Sequence, residues 1–138
     1  MRYSVQSTSK KTMKVIPFLK RNQYCYCGYV AIPPENICFG YDERKKFAPP
    51  LSVYGGVTFS EPVIIGEYLF GLRTKKSYVG KRQPQLDNCE YLTDNREVPD
   101  DWWIIGFDTC HIGDVPFSWT KEAVIAETMR LAEQLEKI

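Results

Sequence analysis

The sequence predicts an α+β fold: a mainly antiparallel, curved sheet with one long C-terminal helix packed across it. Three observations carry this. Segments rich in aromatic and β-branched residues, the composition of strands, recur along the chain before residue 110. Val124, Thr128, Leu131, Leu135 and Ile138 then recur at spacings of four, three, four and three, one stripe along a helix. Strands come first and the helix last, which is the order of a segregated α+β domain rather than of alternating βαβ units.

Residues 13–19 read as a short strand, and Pro17 points to an edge or a bulge because it donates no ladder hydrogen bond. Residues 24–32 form the strongest strand, ended by Pro33-Pro34. Residues 35–50 are a loop with charges at its centre. Residues 51–59 read as a strand broken at Gly55-Gly56, where glycine marks a bulge or a close backbone approach. Residues 67–72 suit a shorter strand. Residues 73–101 hold Gly80, Pro84, Asp87, Asn88, Asp94, Asn95 and Pro99 and read as a long irregular excursion, a feature that is often functional. Residues 102–107 are a buried strand. Thr120 suits the helix N-cap, with Glu122 in the first turn, and Glu122, Glu133, Glu136 and Lys137 mark the solvent face.

Without a repeat or linker, residues 1–138 make a single domain, and 43% hydrophobic residues suffice for a core. A net charge of +1 gives no global field towards long nucleic acid or a membrane. The clusters Lys10-Lys11, Arg44-Lys45-Lys46 and Lys75-Lys76 read as solvated loops. No run approaches the ~20 apolar residues of a membrane helix. The polar, basic residues 1–12 lack the apolar core of a signal peptide, so a cytoplasmic location with reduced thiols is expected. Cys25, Cys27, Cys38, Cys89 and Cys110 are irregularly spaced and accompany a single histidine. Without a Cys-x-x-Cys they read as buried, inert thiols, with no metal and no cofactor.

The densest polar cluster is Asp108, His111 and Asp114, at the exit of the last strand. A carboxylate beside an imidazole suits general-base catalysis or a divalent cation. The same residues also suit turn capping and backbone hydrogen bonds, or ligand binding. Tyr54, Gly55, Gly56 and Thr58 can bring backbone N–H groups close to a phosphate or a ring. As a phosphate loop the segment is weak: no lysine follows directly and no helix begins there. Of Trp102 and Trp103, one ring points to the core and the other away, as a stacking platform for a base or a seal on a subunit interface. Arg130 lies next to the helix stripe, and Arg73, Arg82 and Arg96 punctuate the excursion, where guanidinium groups suit phosphate.

Three blocks together carry a resemblance. They are Gly28-Tyr29-Val30-Ala31-Ile32-Pro33, then Tyr54-Gly55-Gly56-Val57-Thr58-Phe59, then residues 102–114 from Trp102-Trp103 through Gly106-Phe107-Asp108 to His111, Gly113 and Asp114. This pattern resembles a family of small phage and prophage proteins of uncharacterised role. The chain departs from it in having Tyr54 where the family has histidine, and in one extra residue within 102–107. Loss of that histidine weakens a two-histidine metal or acid–base site and favours binding over catalysis. The resemblance implies a phage context. Phage proteins of this size that combine a sheet, a helix and an aromatic pocket include anti-defence sponges, which sequester cyclic-nucleotide or ADP-ribose signals of bacterial immunity.

The expectation is therefore a homo-oligomeric binding protein for a small anionic, nucleotide-like ligand. Trp or Tyr rings would stack on the base, while arginines and the amides near Gly55-Gly56 would hold phosphate. Asp108, His111 and Asp114 would meet the ribose or order the pocket. Two alternatives stand beside it. One is a small hydrolase or metal-dependent enzyme using Asp108, His111 and Asp114. The other is an inhibitor of a host protein acting through exposed aromatics and the helix.

Overall fold

Five strands lie side by side, the central ones buried on both faces and the two edge strands only partly covered. The computed structural model describes residues 13–21, 25–42, 44–45, 49–65, 89–95, 98–109 and 119–138. Among these the strands are β1 Ile16–Arg21, β2 Tyr26–Ile32, β3 Phe59–Pro62, β4 Cys89–Tyr91 and β5 Trp103–Asp108. They form one sheet in the order β3-β5-β2-β1-β4, and every neighbouring pair is antiparallel. The helix α1, Lys121–Lys137, lies over β1 and β2. The α+β expectation holds, with a five-stranded antiparallel sheet and the C-terminal helix across it.

The helix begins where its cap dictates. Thr120 is extended, and its hydroxyl accepts from Ala123 N–H at 3.1 Å. Val124, Thr128, Leu131 and Leu135 of the stripe are buried, joined by Met129 and Ala132, whereas Ile138 is exposed beyond the last turn. Their partners across the layer include Leu19, Val30, Ile32, Ile105 and Phe107. Each fully buried aliphatic side chain contributes roughly 1.5–3 kcal/mol of transfer free energy. Gly28 lets the helix come close: a Cβ there would lie 2.1 Å from Thr128 Oγ1.

The opposite face is aromatic. Register aligns Phe59, Gly106, Tyr29, Phe18 and Tyr91 in one row across all five strands. Gly106 leaves room for the Tyr29 ring, which packs edge-on against Phe59 at 5.5 Å and stacks on Phe18 at 5.3 Å. Period-2 alternation sends Tyr29 to this face and Val30 to the helix side.

Several expectations need correction. β1 is an interior strand, not an edge. Pro17 is accommodated because β4 pairs only from Phe18 onward, and the Pro17 carbonyl accepts from Leu92 N–H at 3.0 Å. Residues 51–58 are not a strand. Gly56 N–H donates to Val53 O at 2.9 Å, closing a turn in which Gly55 has φ 70° and Gly56 φ 81°. The excursion is not wholly irregular, since β4 lies within it. Cys25 is disulfide-bonded while Cys27, Cys38 and Cys89 remain thiols, against the expectation of reduced thiols throughout. Cystine pairing follows from which segments meet in space, which spacing does not reveal. The strand expected at 67–72 lies outside the described residues.

Candidate functional site

The site is built by the loop after β2. Pro33-Pro34 turns the chain out of the sheet, and Asn36 ties it down twice. Its Oδ1 accepts from Cys38 N–H at 2.8 Å, and its Nδ2 donates to Leu135 O at 3.0 Å, occupying a carbonyl of the helix's last turn. Cys38 is buried against the helix layer. The loop then runs back over the β5–β3 side of the sheet, beside the helix, which packs chiefly on β2 and β1. Phe39 packs on Trp103 with ring centroids 5.4 Å apart.

Trp103 stands on the helix side of β5 and is half-buried. Its indole N–H donates to Ser60 Oγ at 2.9 Å, and the Ser60 hydroxyl donates to Tyr41 O at 2.6 Å. This relay fixes the ring between the loop and β3. Asp42 opens a tight turn next to it. Arg44 N–H donates to Asp42 Oδ1 at 3.0 Å, Arg44 Nε donates to Oδ1 at 3.0 Å and Nη2 to Oδ2 at 3.0 Å, a bidentate pair. Lys45 N–H closes the turn on Asp42 O at 3.0 Å. On the far side Thr58 N–H donates to Gly106 O at 2.9 Å, carrying the β3 pairing outward.

Between these walls lies a cleft of about 390 Å³. Tyr41, Asp42, Arg44 and Lys45 line one side, and Val57, Thr58, Phe59 and Ser60 the other, with Trp103 contributed by β5. Its volume is within the range of roughly 300–1,000 Å³ typical of small-molecule sites. Arg44 holds the Asp42 carboxyl well below the usual carboxylate range, at about 2, so Asp42 is ionised at neutral pH. The ionisable side chains among the described lining residues, apart from tyrosine, are thus one carboxylate, one guanidinium and one ammonium.

The structure separates the residues the sequence grouped. Trp103 and Thr58 line the cleft. Tyr54, Gly55 and Gly56 belong to the neighbouring turn, held to the helix. Tyr54 N–H donates to Glu127 Oε2 at 2.8 Å, and the Tyr54 ring packs on Trp119 at 4.5 Å. An anion does sit on that backbone amide, but it is the protein's own Glu127. Arg130 grips the same carboxylate, through Nε at 3.1 Å and Nη2 at 2.7 Å, and does not line the cleft. Gln134 completes the clasp by bonding both the N–H and the carbonyl of Ser52, at 2.8 and 2.7 Å. Tyr54, Gly55, Gly56 and Arg130 are therefore part of a loop-to-helix fastening.

Trp102 and Trp103 lie on opposite faces, both half-buried, and Trp102 packs with the aromatic layer. Asp108 ends β5, five residues and ~17 Å from Trp103, on the aromatic side. Next to it, burial pushes both the Cys27 thiol and the Tyr29 phenol up, which keeps them neutral and the thiol unreactive. His111 and Asp114 lie outside the described residues. Among the described residues no cluster of three or more His, Cys, Asp or Glu side chains suits a metal ion, and no helix is long and apolar enough to cross a membrane.

The sequence reading placed Arg44 and Lys45 in a solvated basic loop and did not single out Tyr41, Asp42 or Ser60. The available signals were that basic cluster and Asp42 two residues before Arg44, a turn-forming spacing, but nothing local connects them with Trp103. Comparison of the chain with protein-family models, with curated proteins and with solved structures gives no match.

Proposed function

We propose that this is a phage-type binding protein that takes a small anionic, nucleotide-like ligand into the Trp103 cleft and sequesters it without chemical change. One observation carries the reading: aromatic, hydroxyl and cationic groups converge on a single cleft of ligand size. An aromatic face of Trp103 or Tyr41 suits a base. Arg44 and Lys45 suit a phosphate, with Thr58 and Ser60 alongside as hydroxyl partners for a sugar. Binding is favoured over catalysis by the acidity of Asp42. A general base works best with a pKa near the ambient pH, and a carboxylate held at about 2 is a poor proton acceptor.

Native mass spectrometry tests this. The protein is measured as purified from cells and again after mixing with a bacterial nucleotide extract. A discrete small mass, retained by the parent and released intact on denaturation, is the expected result. Trp103→Leu together with Lys45→Glu should abolish the retention while leaving the fold intact by circular dichroism. Absence of any added mass, or altered nucleotides left behind in the extract, refutes sequestration. The same spectra read the oligomeric state.

A further inference from the structure

We infer that Ser60 makes the cleft selective for ribonucleotides over deoxyribonucleotides, through a hydroxyl locked as the hydrogen-bond acceptor of a ribose O–H. The inference rests on the reading of the cleft as a nucleotide site. Two features carry it: the direction of one hydrogen-bond relay and the plane of one ring.

Ser60 and Trp103 meet diagonally across the β3–β5 ladder, where Ser60 pairs with Ile105 and Trp103 with Pro62. A serine hydroxyl has one proton to give and two lone pairs to offer. In Ser60 the proton and one lone pair are already engaged. The Tyr41 carbonyl can only accept, so the hydroxyl proton points at it, at 2.6 Å. The Trp103 indole N–H can only donate, so it takes one lone pair, at 2.9 Å. One lone pair remains. Ser60 lines the cleft as a group that can accept a hydrogen bond and cannot donate one. A phosphate oxygen or a base carbonyl finds no partner in it, whereas an O–H or N–H does. Thr58 lines the cleft two residues earlier, but its side chain is exposed and its hydroxyl is not set by this relay, so it turns to suit either kind of partner.

The ring plane decides which donor fits. An indole N–H lies in the plane of its ring, and its hydrogen bonds prefer to be near linear, so Ser60 Oγ sits close to that plane at the edge of Trp103. A base stacked on the ring lies about 3.5 Å above it. Its own N–H groups point along the base plane and pass over the serine oxygen. The ribose hydroxyls leave that plane and can turn down onto it. The donor that Ser60 accepts is therefore a sugar hydroxyl, and the phosphate is left to Arg44 and Lys45 on the opposite wall.

The test is isothermal titration calorimetry with the 5′-monophosphates of the four common bases, each as the ribose, 2′-deoxyribose and 3′-deoxyribose form. The parent should bind the ribonucleotide roughly three- to tenfold more tightly than one of the two deoxy forms, the worth of one neutral hydrogen bond. The form that loses affinity identifies the hydroxyl. In Ser60→Ala that ratio should fall to near unity. Ser60→Thr keeps a hydroxyl in the same relay and should keep the ratio. A merely structural role for Ser60 would weaken all three forms alike and leave the ratio standing. Parent protein that binds all three forms equally, an unchanged ratio in Ser60→Ala, or a ratio lost in Ser60→Thr overturns the inference and leaves the ligand site standing. Failure of every compound to bind the parent removes both the nucleotide reading and this inference.

Discussion

Replacing Gly28 by alanine probes the contact that sets the helix on the sheet. A Cβ at this position would lie 2.1 Å from Thr128 Oγ1, and 2.5 and 2.9 Å from Phe107 Cε1 and Cζ. Ordinary carbon contacts are about 3.5–4.0 Å. Thr128 cannot readily retreat, because it is wholly buried and its hydroxyl donates to Val124 O at 2.7 Å. Either the helix lifts or the Phe107 ring leaves its place in the core. Overpacking of this kind costs about 1–3 kcal/mol. Opposing it, alanine is better than glycine in a strand by roughly 0.5–1 kcal/mol. Two hard contacts put the cost at the upper end, so a net loss near 2 kcal/mol is expected. For a domain of this length that lowers Tm by about 4–8 °C. Urea and thermal unfolding monitored by circular dichroism read it directly. In Gly28→Ala/Thr128→Ala the nearest clash is gone, and the double variant should be less destabilised than the two single effects added together. A Gly28→Ala protein as stable as the parent would refute the close approach of helix and sheet.

Two further predictions concern the helix. Thr120→Ala should cost about 1 kcal/mol in urea unfolding, because Ala123 N–H loses the cap oxygen. Glu127 fastens Arg130 and the Tyr54 turn, and its carboxyl is held below the ordinary value, first by Arg130 and then by the Tyr54 amide. A carboxyl depressed in the folded state stabilises fully above its unfolded value of 4.5 and loses that contribution as pH falls through the lower folded value. Unfolding free energy measured from pH ~6 down to ~3 should decline for the parent, and more shallowly for Glu127→Gln. The same variant should bind ligand in the cleft as the parent does, whereas a binding loss would return the Tyr54 turn to the site.

Much of the fold was legible because its signals are local. A run such as Tyr26-Cys27-Gly28-Tyr29-Val30-Ala31-Ile32 pairs strand propensity with a proline stop. The helix stripe and Thr120 likewise reside in a few consecutive turns. The three-residue strand β4 was not legible, since Cys89-Glu90-Tyr91 is too short to show a period and is held by pairing with β1. Leu51 to Thr58 carried strand-like residues, but the loop is fastened by Glu127 and Gln134, more than seventy residues away. Distant side chains overrode local propensity there.

The candidate site divides along the same line. The sequence by itself determined the kinds of residue present: paired tryptophans at the start of a strand, a glycine pair, and a basic cluster after a proline stop. It also determined which face of its strand each buried residue would take, because alternation is a property of the backbone. Only the tertiary structure decided that Trp103 meets Phe39, Ser60 and Tyr41. Arg130, attractive as a phosphate ligand in one dimension, is bound to Glu127 in three. The physical reason is that a charged or aromatic side chain has no role until its neighbours are known. Strand order and the path of the loop across β5 and β3 bring Ser60 and Tyr41 to Trp103 from 43 and 62 residues away, whereas Glu127 meets Arg130 from the preceding turn of the same helix.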